Sequence, residues 1–228
     1  MIGILAGMGP KSTGPFIDKI VEQCQIIYGA TYDMDYPKMM IYSCPTPFYL
    51  DRPIDHMEME HAIISGTKKL ASTGVDFIAI PCNTAHTYFD KIEGAVSIPI
   101  LNMVKETIAQ VSTNCKKVTI LATPATIDSG IYQKGIKESG LHLILKNDWQ
   151  ENINTIIKLV KSSSKKTEGI DLWNKLMKEI EKEVDTAIIA CTDLNIISDK
   201  TISPIQIIDS STSLARAVVK TYLEWNRE

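Results

Sequence analysis

No stretch of this chain marks it for a membrane, for nucleic acid or for a disulfide framework, and each absence narrows the function. No apolar run approaches the ~18–20 residues that a spanning helix needs. The opening M-I-G-I-L-A-G-M-G-P lacks a charged n-region and is too short and glycine-rich for a signal peptide. A net charge of −3 without a basic stripe gives no reason to expect a nucleic-acid partner. The five cysteines (24, 44, 82, 115 and 191) are an odd number, with no C-x-x-C pair and no Cys/His cluster at zinc spacing. Free thiols in a cytoplasmic protein are the plain expectation. A dinucleotide fingerprint is missing too: the first glycines stand at 3, 7, 9 and 14, which is not G-x-G-x-x-G, and no P-loop lysine follows. The turn Gly7-Met8-Gly9-Pro10 therefore suits close backbone approach to a small ligand better than a nucleotide.

What remains is an ordinary globular chain of 228 residues, enough for one large or two small domains with proper cores. Short apolar runs at 2–6, 39–43, 77–81, 118–122, 141–145, 187–190 and 205–209 alternate with helical periodicity over 12–28, 57–72, 151–161 and 170–183. Continuous apolar strands alternating with helices predict an α/β fold with parallel sheets covered on both faces. The runs 31–56 and 162–169 read as loops, the first crowded with prolines and aspartates near its end, the second rich in Ser and Lys.

A repeat lies beneath this pattern. G-I-L-A-G-M-G-P-K-S-T-G-P-F-I-D-K-I (3–20) aligns without gaps on T-I-L-A-T-P-A-T-I-D-S-G-I-Y-Q-K-G-I (119–136), so that Ile4/Ile120, Leu5/Leu121, Ala6/Ala122, Gly14/Gly130 and Ile20/Ile136 coincide. V-D-F-I-A-I-P-C-N-T-A-H (75–86) matches V-D-T-A-I-I-A-C-T-D-L-N (184–195), and I-L-N (100–102) matches I-I-D (207–209), each ahead of a helix. The order predicts two similar Rossmann-like units related by a pseudo-two-fold: residues 1–101 plus 209–228, and residues 102–208. Ligands of open α/β sheets bind beyond the carboxyl ends of the strands, so the active site is expected in the cleft between the units.

Cys82 and Cys191 take equivalent places at strand ends. Asn83-Thr84 would open a helix whose unpaired N–H groups favour an anion and ease ionisation of a thiol. Thr192-Asp193 stand in those places after Cys191, where the carboxylate would instead hold a thiol protonated. Cys82 is therefore expected to be the more easily ionised. A single cysteine is more often a small buried hydrophobe, the reading given to Cys24, Cys44 and Cys115. His86, one turn beyond Cys82, either tunes the thiol or serves as a cap or core residue. Thr123, the repeat partner of Gly7, offers a hydroxyl. Arg52 falls in the long first loop, where a carboxylate clamp could be placed. Lys161, ahead of the charge run 162–166, has no role on composition alone.

These motifs, G-I-L-A-G-M-G-P, D-R-P (51–53), P-C-N-T-A-H (81–86), L-A-T-P-A-T-I-D-S-G-I-Y (121–132) and the second cysteine run, resemble the cofactor-independent aspartate/glutamate racemases over essentially the whole chain. The resemblance implies two α/β units, commonly in a homodimer, with Cys82 and Cys191 as the acid/base pair and with neither PLP nor a metal. It implies an acidic amino acid as substrate. Asn83, Thr84 and Thr123 match positions that hold the α-carboxylate, Met8 lies in the matching turn, and Arg52 matches the arginine on the side-chain carboxylate. Thr192 and Asp193 complete the second motif. Lys161 stands at the family's lysine, although K-S-S replaces the usual K-x-G, and A-C-T-D replaces the usual G-C-T-E. The expected reaction interconverts L- and D-aspartate or glutamate, one thiolate taking the α-proton and the other thiol returning one. The alternatives are hydantoin racemase-like or maleate isomerase-like chemistry, or a sensor that binds an acidic amino acid without exchanging its α-proton.

Overall fold

The central strands of each sheet are covered on both faces, which explains why they are apolar along their length. The computed structural model describes residues 1–49, 52–161, 166–198 and 202–225. Asp51 of the D-R-P run and residues 162–165 of the Ser/Lys-rich run lie outside them. The chain divides into two units, one formed by Met1–Met103 with the segment from Ser211 onward, the other by Val104–Ser210.

In the first unit, strands β1 (Ile2–Ala6), β2 (Met39–Ser43), β3 (Phe77–Ala79) and β4 (Ile100–Leu101) form a parallel sheet in the order β2-β1-β3-β4. Side chains alternate in direction along a strand, so Ile2, Ile4, Phe77 and Ala79 face one layer while Leu5, Ile78 and Ile80 face the other. The first layer is built by helix α1 (Thr13–Tyr28), through Phe16 and Ile20, and by the C-terminal helix. The second is built by α2 (His56–Ala71) and α3 (Phe89–Glu93), through Met59, Ile63, Leu70 and Ile92. Asp55 starts α2 by accepting the N–H groups of Met57 and Glu58, both at 3.0 Å, which satisfies two donors the helix leaves open.

Helix α4 (Met103–Ile108) begins on the last residue of the first unit, and the second unit continues with β5 (Lys117–Ala122), α5 (Pro124–Asp128), α6 (Ile131–Glu138), β6 (His142–Leu143), α7 (Asn147–Lys161), α8 (Lys166–Ile180), β7 (Thr186–Ala190), α9 (Asn195–Ser198) and β8 (Gln206–Asp209). Its sheet is also parallel, in the order β6-β5-β7-β8, which repeats the topology of the first. Trp149, Ile153 and Ile156 of α7 and Trp173, Leu176 and Met177 of α8 cover one face, and Tyr132 and Ile136 of α6 cover the other. Helix α10 (Ser210–Trp225) then returns the chain to the first unit, where Leu214, Ala215, Val218 and Val219 close the layer beside α1.

The repeated Val-Asp has the same structural task in both units. Asp76 donates its N–H to the Met1 carbonyl at 2.9 Å and its carboxylate meets the Met1 nitrogen. Asp185 donates to the Lys117 carbonyl at 2.9 Å, and its carboxylate accepts the N–H groups of Lys116 and Lys117. Each aspartate thus pins the start of the strand beside its own. Those two N–H groups hold the Asp185 carboxyl below the usual carboxylate range.

Several sequence expectations are corrected. The strand expected at 39–43 is β2, set within the run 31–56 that otherwise reads as loop. The run 162–169 is not all loop, since α8 already begins at Lys166. Ile100–Leu101 is a strand as well as the lead into a helix. Ladder pairing in β3 stops at Ala79 and β6 keeps only two residues. Gly14 and Gly130 coincide in the alignment but differ in role: Gly130 is a left-handed cap before α6, with φ 70°, whereas Gly14 sits inside the first turn of α1.

Candidate active site

The two cysteines follow the third strand of each sheet in chain order, and the same neighbouring strand lies beside each. In the second unit Ala122 pairs with Ala190, so the next residues along, Thr123 and Cys191, leave the sheet side by side. In the first unit the β1–β3 ladder ends at Ile4 and Ala79, three residues before Gly7 and Cys82. Gly7 and Thr123, aligned in sequence, each follow directly on the equivalent strand, β1 and β5.

Gly7 has φ +95°, and a Cβ there would come within 2.6 Å of the backbone nitrogen and oxygen of Cys44. Glycine is required on both counts. Met8 follows, partly buried against the α2 side of the sheet. Thr123 caps α5, its hydroxyl accepting the Thr126 N–H at 3.3 Å and lying 3.1 Å from the Thr126 hydroxyl. The carbonyl just before it, that of Ala122, accepts a hydrogen bond of 3.0 Å from Gln150 on α7, which also donates to Asn154. No sequence signal singled out Gln150.

Cys82 is half-buried, and its N–H turns back to the Ile80 carbonyl at 2.8 Å. Asn83, buried, precedes a short 3-10 turn over Thr84–Tyr88. The helix expected at Asn83-Thr84 thus begins as a 3-10 turn and becomes α-helical only at Phe89. His86 is buried and does not point to a thiol: Nδ1 lies 2.8 Å from the Cys82 carbonyl and Nε2 accepts the Met103 N–H at 3.0 Å. Of the roles open to it, a structural one is what these contacts describe.

Cys191 is 6 % exposed and opens the 3-10 turn Thr192–Leu194. Burial, and then the neighbouring Asp193 charge, push its thiol up to about 12, against the N–H groups of Asp193 and Leu194 and the Lys161 ammonium, which favour the thiolate. Lys161, at the end of α7, lies 3.2 Å from the Asp193 carboxylate. The lysine that composition alone leaves in a solvated charge run is half-buried and paired beside a cysteine. Replacing Asp193 by Asn removes the negative charge that opposes thiolate formation and releases the Lys161 ammonium toward the sulfur. Both changes act in one direction. Alkylation of Cys191 against pH, followed by peptide mass, is expected to show its midpoint moved to lower pH in Asp193→Asn; an unchanged or raised midpoint would contradict this electrostatic account.

Arg52 is exposed and its guanidinium lies over the Tyr49 ring, 3.5 Å from the centroid. Among the described residues, no group of three or more His, Cys, Asp or Glu side chains could hold a metal ion, and no helix is long and apolar enough to cross a membrane. The site residues thus fall into two sets: Met8, Cys82, Asn83 and Thr84 at the strand ends of the first sheet, and Thr123, Lys161, Cys191, Thr192 and Asp193 at those of the second. Arg52 stands apart on its loop.

The chain is similar to known proteins in sequence and in fold. The chain is 54 % identical over 225 residues to the broad specificity amino-acid racemase RacX of Bacillus subtilis (strain 168), covering 99 % of each. It is 26 % identical over 156 residues to the glutamate racemase of Aquifex pyrophilus, covering 64 % of this chain and 58 % of that one. Among solved structures, Picrophilus torridus aspartate racemase superposes with a TM-score of 0.81 at 29 % identity, covering 96 % of this chain and 93 % of that one. The family model for Asp/Glu/Hydantoin racemase matches residues 5–218, and the chain belongs to that family of isomerases.

Proposed function

We propose that the protein racemises amino acids at Cα, aspartate or glutamate among them, using Cys82 and Cys191 as a base and an acid that exchange roles with direction, and without a cofactor. The observation that carries this reading is the placement of the two thiols beyond equivalent strands, β3 and β7, with Cys191 capping a 3-10 turn and Cys82 one residue ahead of the cap of another. The reaction breaks the Cα–H bond by transfer of the proton to one sulfur, and forms a new Cα–H bond with the proton of the other. It requires both thiols to reach one Cα from opposite faces. Burial and the Asp193 charge favour the thiol form of Cys191, ready to donate, which makes Cys82 the first base. Proton transfer by a placed group contributes roughly 10²–10⁴-fold, too little alone for so weak a carbon acid. The charge developing on the substrate carboxylate therefore has to be met by fixed donors, for which Asn83, Thr84, Thr123 and Thr192 are the candidates.

A wider substrate range is favoured by one observation. The two cations suited to an acidic side chain are already engaged, Lys161 with Asp193 and Arg52 with the Tyr49 ring. An aspartate or glutamate side chain has to compete for them, whereas a neutral side chain does not.

Both readings are tested by incubating the protein in D₂O with each enantiomer of aspartate, glutamate, a neutral and a basic amino acid. Deuterium at Cα together with loss of optical rotation is expected, and the substrates that exchange define the range. If no amino acid acquired deuterium, the racemase reading would fail, and a sensor or an isomerase of the same fold would replace it.

A further inference from the structure

The backbone around Cys82 is not held by the sheet. Ladder pairing in β3 ends at Ala79, and the Cys82 N–H is consumed in a tight turn to Ile80. The ring of His86, itself 4 % exposed, meets the Cys82 carbonyl. The partners fix the state of that ring. A backbone N–H can only donate, so Nε2 accepts from Met103 and the proton resides on Nδ1, which donates to the Cys82 carbonyl. Burial lowers the ring's affinity for a second proton and outweighs the backbone groups of Cys82 and Leu101, which favour one. The ring plane is set by Phe89, stacked at 5.6 Å between centroids and 10° between planes. Both nitrogens are thus used in holding backbone, and at the far end of the link stands Met103, the last residue of the first unit before the chain passes into the second.

We infer that His86 is a positioning residue for Cys82: a neutral imidazole strut between the Cys82 carbonyl and the Met103 N–H that sets the direction of the thiol from the point where the chain crosses between units. The inference rests on the proposed two-cysteine reaction. The repeat places Asn195, also buried, where His86 stands. An amide likewise carries a donor and an acceptor, but it is shorter: asparagine at 86 keeps a donor near the Cys82 carbonyl and falls short of Met103. Phenylalanine keeps the ring and its stacking and loses both hydrogen bonds.

The test compares the parent protein with His86→Phe and His86→Asn. A thiol displaced by about 1 Å loses on the order of 10²-fold in turnover, so kcat is expected to fall roughly 10–100-fold in His86→Phe and about 3–10-fold in His86→Asn, with KM within about threefold. The primary isotope effect, measured with α-deuterated D and L substrate, is expected to rise only for the enantiomer whose proton Cys82 removes. A merely structural loss lowers the active fraction and leaves both isotope effects unchanged, which would overturn the inference. Should His86→Phe fail to fold, the asymmetry in His86→Asn decides in the same way. A second arm needs no turnover: iodoacetamide labelling is expected to change at Cys82 by about threefold or more and to stay the same at Cys191, because reactivity follows the local setting of each thiol. Equal Cys82 labelling in all three proteins would also overturn the inference. If the parent exchanged no proton with any amino acid, the proposed function would fall while the labelling arm still judged the strut.

Discussion

Racemisation is expected to disappear in Cys82→Ala and in Cys191→Ala alike, by about 10³-fold or more in either direction, since each loses one of two proton-transfer groups that each contribute roughly 10²–10⁴-fold. The sharper result lies in what survives. Each variant keeps one thiol, which can still take a proton from one face and return a solvent-derived one to the same face. Exchange at Cα without inversion is therefore expected for one enantiomer only, and for the opposite enantiomer in the other variant. Proton NMR in D₂O with each pure enantiomer reads this directly. Near-normal turnover of Cys82→Ala in both directions would end the two-thiol account. Cys191 is buried and lies within a packed layer, so its alanine variant also removes a well-packed sulfur; an equal thermal melt separates that effect from chemistry.

The second large effect is expected at Gly7. Alanine there meets two independent obstacles: a backbone conformation with φ +95° and a Cβ 2.6 Å from the Cys44 backbone. A forced left-handed residue and an overpacked contact each cost about 1–3 kcal/mol, so Gly7→Ala is expected to lose roughly 3 kcal/mol. In a chain of this size that lowers the unfolding midpoint by about 6–12 °C. Calorimetry checks it, and a shift below about 2 °C would mean that β1 and β2 can part there without cost. Because Gly7 directly follows β1, the strand paired with the β3 that leads to Cys82, the same variant is expected to lose activity even below its melting point.

The fold was legible where the chemistry is local. Continuous apolar runs marked β1, β5 and β7 because both faces of those central strands are buried, and the repeated Val-Asp ahead of each cysteine pointed to equivalent strands. Ile100–Leu101 was too short to stand out, and the start of α8 was hidden by a Ser/Lys-rich composition although Trp173, Leu176, Met177 and Ile180 carry its buried face. At the site, the cysteines were legible from their repeat setting. The Lys161–Asp193 pair was not: its members are far apart in sequence and meet because α7 packs beside the second cysteine turn. His86 could not be resolved between tuning a thiol and filling a core, because its partners are the Cys82 carbonyl and the Met103 N–H, backbone atoms that side-chain patterns do not reveal.

The return of α10 to the first unit bears on how the chain is made. Residues of the second unit are contiguous and can assemble as soon as they leave the ribosome. The first unit, although synthesised earlier, lacks Leu214, Ala215, Val218 and Val219 until the rest of the chain has been translated. Until then Ile2, Ile4, Phe16 and Ile20 have one side of their layer open, an apolar surface of the kind that chaperones hold and that aggregates if left alone. The unit that carries Cys82 is thus begun first and finished last.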